Sequence, residues 1–115
     1  MINHDFLKKI KMDANGRVVK PVNFQFSIIT SVRNCLDETT EFIRSLQKFS
    51  EPLDYELIII DDGSEAETAK YLESICDARL FRNQQSRGFA YSNNLGASQA
   101  KGDWLIFMNN DLVLT

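Results

Sequence analysis

Residues 56–61 read Glu56-Leu-Ile-Ile-Ile-Asp61, four apolar side chains in succession between two carboxylates. A strand with one wet face alternates apolar and polar residues. A strand that is apolar at every position is buried on both faces, as in a parallel sheet between layers of helix. Phe26-Ser-Ile-Ile-Thr-Ser-Val32 is a second β-rich run, Arg79-Leu-Phe-Arg82 a weaker one, and Trp104-Leu-Ile-Phe-Met108 a fourth. Between them apolar residues repeat at helical spacing. Phe42, Ile43, Leu46 and Phe49 follow a candidate N-cap at Asp37, Thr39 or Thr40, with Pro52 as a stop. Ala66, Ala69, Leu72 and Ile75 follow a cap at Ser64. A third helix is expected over 89–101, with Gly96 a weak point inside it and Gly102 its end. The order β-α-β-α-β-α-β implies an α/β fold with a parallel sheet and right-handed crossovers. Ligands of such sheets bind outside the carboxyl ends of the strands.

A chain of 115 residues suffices for one domain with a small core. Residues 1–22 are polar and mixed in charge, carry the turn signal Asn15-Gly16, and suggest a short helix over Phe6 to Met12. They read as a leader, with 23–115 as the folded part. A net charge of −3 without clustered Lys or Arg argues against nucleic acid or acidic lipid as partner. No apolar run reaches the length of a membrane span, and the N-terminus is too polar for a signal peptide, so a cytoplasmic location is expected. Cys35 and Cys76 are far apart in no metal-like spacing and read as reduced thiols. His4 is the one histidine, which argues against zinc. There is no G-x-G-x-x-G, no phosphate-binding G-x-x-x-x-G-K-[ST], and no Ser or Cys with a nearby His.

The polar clusters all fall at strand ends: Ser31-Val32-Arg33-Asn34, Asp61-Asp62-Gly63-Ser64 and Asn109-Asn110-Asp111. A carboxylate at such a mouth accepts hydrogen bonds from a ribose hydroxyl or a base N–H. Asp62 and Ser64 are equally compatible with capping the second helix. Asn109-Asn110-Asp111 offers oxygen ligands to a hard cation that completes its shell with substrate phosphates. Taken alone, it reads rather as a polar turn after a buried strand.

These segments are similar to those of family 2 glycosyltransferases. Phe26 through Asn34 resembles the opening V-S-I-I-x-P-x-Y-N, and Glu56 through Ser64 is close to E-I-I-V-V-D-D-G-S. Asn83 through Gly88 resembles the loop N-x-x-N-x-G. Asn94-Leu-Gly96 with Ala100-Lys-Gly102 resembles the helix N-x-G-x-x-x-A-x-G. Phe107-Met-Asn-Asn-Asp111 lies where the family carries D-x-D. The likeness runs in order from residue 26 to residue 111. Ser31 stands where proline is common, Arg33 where a tyrosine is common, Asn93 where many members have arginine, and Asn109 where the first aspartate is expected. The N-N-D form resembles the rhamnosyltransferase-like branch, which tends to use dTDP-rhamnose.

The resemblance implies a GT-A-type, Rossmann-like three-layer sandwich with a mainly parallel sheet in strand order 3-2-1-4. It implies inverting, metal-dependent transfer of a sugar from a dTDP- or UDP-sugar to the hydroxyl of a glycan or lipid-linked acceptor, as in polysaccharide biosynthesis. Ser31 and Arg33 would line the base and ribose pocket, and Asp62 would hydrogen-bond the nucleobase. Asn110 would lie near the ribose or diphosphate, with Arg87 approaching the diphosphate. Asp111, supported by Asn109, would bind Mg²⁺ or Mn²⁺. The family's catalytic base lies well downstream of the acidic motif, and this sequence ends four residues after Asp111. The expectation is therefore a truncated, N-terminal nucleotide-sugar-binding part, without a base of its own, meeting the inner membrane face through other regions and with a homodimer as one form. A non-catalytic nucleotide- or sugar-binding module is the alternative. A phosphoacceptor regulatory domain fits less well, because its acidic pair belongs near the first strand.

Overall fold

The computed structural model describes residues 11–12, 15, 18–19, 24–49, 53–112 and 114. Two short strands, β1 (Lys11–Met12) and β2 (Val18–Val19), pair antiparallel. Lys11 and Met12 are thus extended, not the end of a helix, because they ladder with Val19 and Val18 across the turn at Asn15. The remainder of the expected Phe6–Met12 helix lies outside the described residues, as does Pro52.

The principal sheet holds β3 (Phe26–Val32), β4 (Tyr55–Asp62), β5 (Ala78–Asn83) and β6 (Trp104–Phe107). They alternate with α1 (Leu36–Phe49), α2 (Ala66–Glu73) and α3 (Phe89–Gln99). The spatial order is β5-β4-β3-β6, which is 3-2-1-4 counted from Phe26, and every pairing is parallel. β4 is central, and its burial on both faces accounts for its unbroken apolar run. Leu57 and Ile59 join Ile28 and Val32 under Phe42, Ile43 and Leu46 of α1 and Leu72 of α2. Ile58 and Ile60 join Ile29 on the other face, beneath Leu95 and Ala97 of α3. Two helices on one face and one on the other make the three layers.

The expected weak point at Gly96 is a close-packing site. Gly96 is buried, and a Cβ there would lie 2.4 Å from Ile29 Cγ2. The helix needs the missing side chain to reach the sheet. At the amino edge of the strands, buried Glu56 accepts hydrogen bonds from Ser27 Oγ (2.6 Å), Arg79 Nη1 (3.0 Å) and the Lys101 N–H (2.6 Å). Burial pushes the Glu56 carboxyl up, but the Ser27, Lys101 and Arg79 bonds hold it below its ordinary value. This ionic knot fixes the turn from α3 into β6, which in turn aims the acidic turn after β6 at the opposite edge.

Candidate functional site

Residues alternate faces along a strand, so the adjacent carboxylates of Asp61 and Asp62 point to opposite sides of the sheet. Asp61 faces α2. It accepts the Ser64 N–H (2.9 Å) and pairs with Arg82 Nη1 (2.6 Å), so it serves the turn and not the mouth. Asp62 faces α3 and is 3% exposed. Its Oδ1 accepts from Asn83 Nδ2 (2.9 Å) and the Arg87 N–H (2.7 Å). Its Oδ2 accepts from Ser86 Oγ (2.9 Å) and the Gly88 N–H (3.0 Å). Burial raises the Asp62 pKa. The hydrogen bonds, led by that from the Arg87 N–H, outweigh it and bring the value down to about 2. The carboxylate expected to meet a nucleobase is therefore engaged with the loop that leads into α3.

Neither Asp62 nor Ser64 caps α2. The helix begins at Ala66 after Glu65, which makes no side-chain cap bond. Ser64 Oγ accepts from the Asn34 N–H (2.9 Å) and donates to the Val32 carbonyl, while Asn34 Oδ1 accepts the Glu65 N–H (2.7 Å). The loops after β3 and β4 are thereby laced together. Asn34 and Cys35 both take positive φ, 59° and 57°. L-residues rarely hold that conformation unless surrounding structure enforces it, and here it starts α1 at Leu36, so that Asp37 lies within its first turn.

Between these loops an open cleft of about 290 Å³ is lined by Ser31, Arg33, Cys35, Asp62, Ser86, Gly88, Phe89 and Asn110. Ser31, Arg33, Asp62 and Asn110 were expected together at the carboxyl edge, and the fold brings them together. Cys35, Ser86 and Phe89 were not singled out, although the likeness of Asn83–Gly88 to a family loop marked the segment. Arg87 does not line this cleft; its N–H serves Asp62 beneath it. Its guanidinium lies over the Tyr91 ring, 5.6 Å from the centroid, beside a neighbouring cleft of about 460 Å³.

Thr39, a candidate helix cap in the sequence, is fully buried, and its hydroxyl accepts from Asn110 Nδ2 (2.9 Å). That bond seats Asn110 at the cleft. Asn109 and Asp111 are exposed on the same turn. Among the described residues, no three His, Cys, Asp or Glu side chains gather as a metal cluster. One exposed carboxylate beside two amide oxygens is an all-oxygen donor set. It suits Mg²⁺ or Mn²⁺ that draws most of its shell from a diphosphate and water, and it does not suit a metal held by protein alone.

Residues 27–115 match the family described as Glycosyl transferase family 2. An uncharacterized glycosyltransferase of Haemophilus influenzae (strain ATCC 51907 / DSM 11121 / KW20 / Rd) is 33% identical over 85 residues, covering 74% of this chain and 29% of that protein. The uncharacterized glycosyltransferase YfnE of Bacillus subtilis (strain 168) is 33% identical over 90 residues, covering 76% and 23%. Among solved structures, S. aureus TarS superposes with a TM-score of 0.66 at 25% identity, over 76% of this chain and 27% of that one. A mannosyltransferase, PcManGT from Pyrobaculum calidifontis, in complex with GDP-Man and Mn²⁺, superposes with a TM-score of 0.67 at 19% identity, over 79% and 28%. The chain thus spans less than a third of the length of each of these proteins. A match over residues 27–115, on a parallel sheet whose cleft lies at the carboxyl edge, places this chain in glycosyl transferase family 2.

Proposed function

We propose that this chain is the donor-binding part of an inverting glycosyltransferase that transfers a sugar from a nucleoside-diphosphate donor, a dTDP- or UDP-sugar, to an acceptor hydroxyl. The observation that carries the reading is the cleft at the carboxyl edge, where Ser31, Arg33, Asp62 and Asn110 line one wall set. The base and ribose would lie against Ser31 and Arg33, with Asp62 acting on the nucleobase from the floor. Asn110, held by Thr39, would meet the ribose or diphosphate. Arg87 would approach the diphosphate by leaving Tyr91.

Asp111, supported by Asn109, would hold a divalent ion against the diphosphate, and that ion when bound would offset the charge of the departing group. The fold-level likeness to a protein solved with GDP-Man and Mn²⁺ supports this chemical class. In the transfer, the acceptor oxygen bonds to the anomeric carbon as the bond to the diphosphate breaks, and the hydroxyl proton passes to a carboxylate base. No residue of this chain is assigned to that base. Among the described residues no helix is long and apolar enough to cross a membrane.

Calorimetric titration with dTDP, UDP and GDP, each with and without Mn²⁺, tests the reading. Saturable binding of dTDP or UDP that is strengthened by Mn²⁺ is expected. Silence with all three nucleotides would overturn it.

A further inference from the structure

The principal sheet has two outer strands, and only one is guarded by charge. β5 bears Arg79 and Arg82. β6, Trp104-Leu-Ile-Phe107, has neither the charge nor the proline that blunts an open edge. Trp104 is 66% exposed, Leu105 44% and Phe107 49%. By their register with β3, Leu105 and Phe107 lie on the face of Ile29, and Trp104 and Ile106 on the face of Ile28. The edge is therefore apolar on both faces.

The rim of β6 also has a set hydrogen-bonding pattern. Successive residues of a strand turn their N–H and C=O groups to opposite sides. The Trp104 and Met108 N–H groups bond inward, to the Gln25 and Ile29 carbonyls (3.0 Å each). Leu105 and Phe107 thus direct theirs outward, where no strand among the described residues meets them.

This rim is complementary to itself. Antiparallel pairing about a two-fold axis normal to the sheet sets residues of the same face opposite each other. Centred on Ile106, it places Leu105 opposite the partner's Phe107, and Phe107 opposite the partner's Leu105. These are the outward-bonding residues, so each pairing exchanges both of its hydrogen bonds. On the other face Trp104 meets the partner's Met108. Neighbouring registers fit worse. Centred on Leu105, Asp103 falls opposite the partner's Phe107. Centred on Phe107, Asp103 falls opposite the partner's Asp111, like charge against like.

We propose that this chain forms a symmetric dimer through β6, the two strands pairing antiparallel about Ile106 so that two four-stranded sheets become one. The strands run in opposite directions, so the two carboxyl-edge clefts open at opposite ends of the joined sheet.

Sedimentation equilibrium up to submillimolar concentration tests the dimer, and twice the mass of one chain is expected. Leu105→Pro removes an outward N–H and leaves the inner ladder intact. It should return the chain to a single copy, as should Phe107→Lys, with circular dichroism checking that each variant is folded. In the unaltered chain the Leu105 and Phe107 amides should exchange more slowly as concentration rises. The register is read by Ile106→Cys with Cys35→Ser and Cys76→Ser, which remove the exposed free thiols. Ile106 meets its own copy in a non-hydrogen-bonded pair, about 4.5 Å between Cα atoms. That is within disulfide reach, so mild oxidation should cross-link it, whereas Trp104→Cys should stay unlinked. A monomer at submillimolar concentration overturns the dimer, whether the edge is bare or covered by another segment of the chain. So does a dimer indifferent to both Leu105→Pro and Phe107→Lys, amide exchange that ignores concentration, or cross-linking at Trp104→Cys in preference to Ile106→Cys.

Discussion

Replacing Asp62 by asparagine keeps the shape and removes the charge. Asparagine has one acceptor oxygen where aspartate has two. Whichever way the amide is turned, one backbone N–H, of Arg87 or of Gly88, meets an N–H instead of an oxygen. Orphaning one buried donor costs about 1–3 kcal/mol. An independent route gives a similar figure. Holding a carboxyl at about 2 against an ordinary 3.8 contributes about 2 kcal/mol at neutral pH. The folded-state value is the lower one, so this stability is fully present above the unfolded value and is lost as pH falls from about 4 through about 2. Urea unfolding of both proteins should show Asp62→Asn less stable by about 2 kcal/mol at pH 7, with most of the gap closed at pH 2. A difference that is absent at pH 7, or that does not change with pH, would refute the account of Asp62 as an ionised organiser of the 83–88 loop.

Other outcomes follow from single contacts. Gly96→Ala places a methyl 2.4 Å from Ile29 Cγ2; overpacking of about 1–3 kcal/mol exceeds the gain in helix propensity, and the thermal midpoint should fall by several degrees, whereas a rise would contradict the close-packing role. Thr39→Val removes the hydroxyl that holds Asn110; nucleotide affinity should drop about 3- to 10-fold, and an unchanged affinity would dissociate Asn110 from the ligand. Mn²⁺ alone should give no saturable heat. In Asp111→Asn, Mn²⁺ should no longer strengthen UDP or dTDP binding; retained metal dependence would move the ion elsewhere.

The layered parallel fold was legible because burial on both faces leaves a mark in every residue of β4, Leu57 to Ile60. The edge carrying the cleft followed from topology, since Ser31 and Asp62 lie at the carboxyl ends of parallel strands and Asn110 just beyond another. What escaped was tertiary. Ser64 and Thr39 have the side chains of helix caps, and local chemistry alone cannot distinguish capping from bonding to Val32 or Asn110, which approach only in the folded chain. Asn34 reaches the start of α2 across 31 positions of sequence. Gly96 looked like a weakness because propensity counts what a helix loses, and the neighbour that requires glycine, Ile29, lies on another element. Asp61 and Asp62 are adjacent in sequence, and their divergence follows from strand alternation. That Asp62 would be saturated by the loop before α3 follows only from where α3 packs.

The central claim is that the cleft at the carboxyl edge of β3 and β4 seats a nucleoside diphosphate. The most direct measurement is an amide chemical-shift titration of the isotope-labelled chain with UDP or dTDP and Mg²⁺. The account predicts that the largest changes fall on Ser31, Arg33, Cys35, Ser86, Gly88, Phe89 and Asn110, on both sides of one cleft. Changes centred instead on Gln84, Gln85 and Tyr91 of the neighbouring cleft, or no changes at millimolar nucleotide, would contradict it.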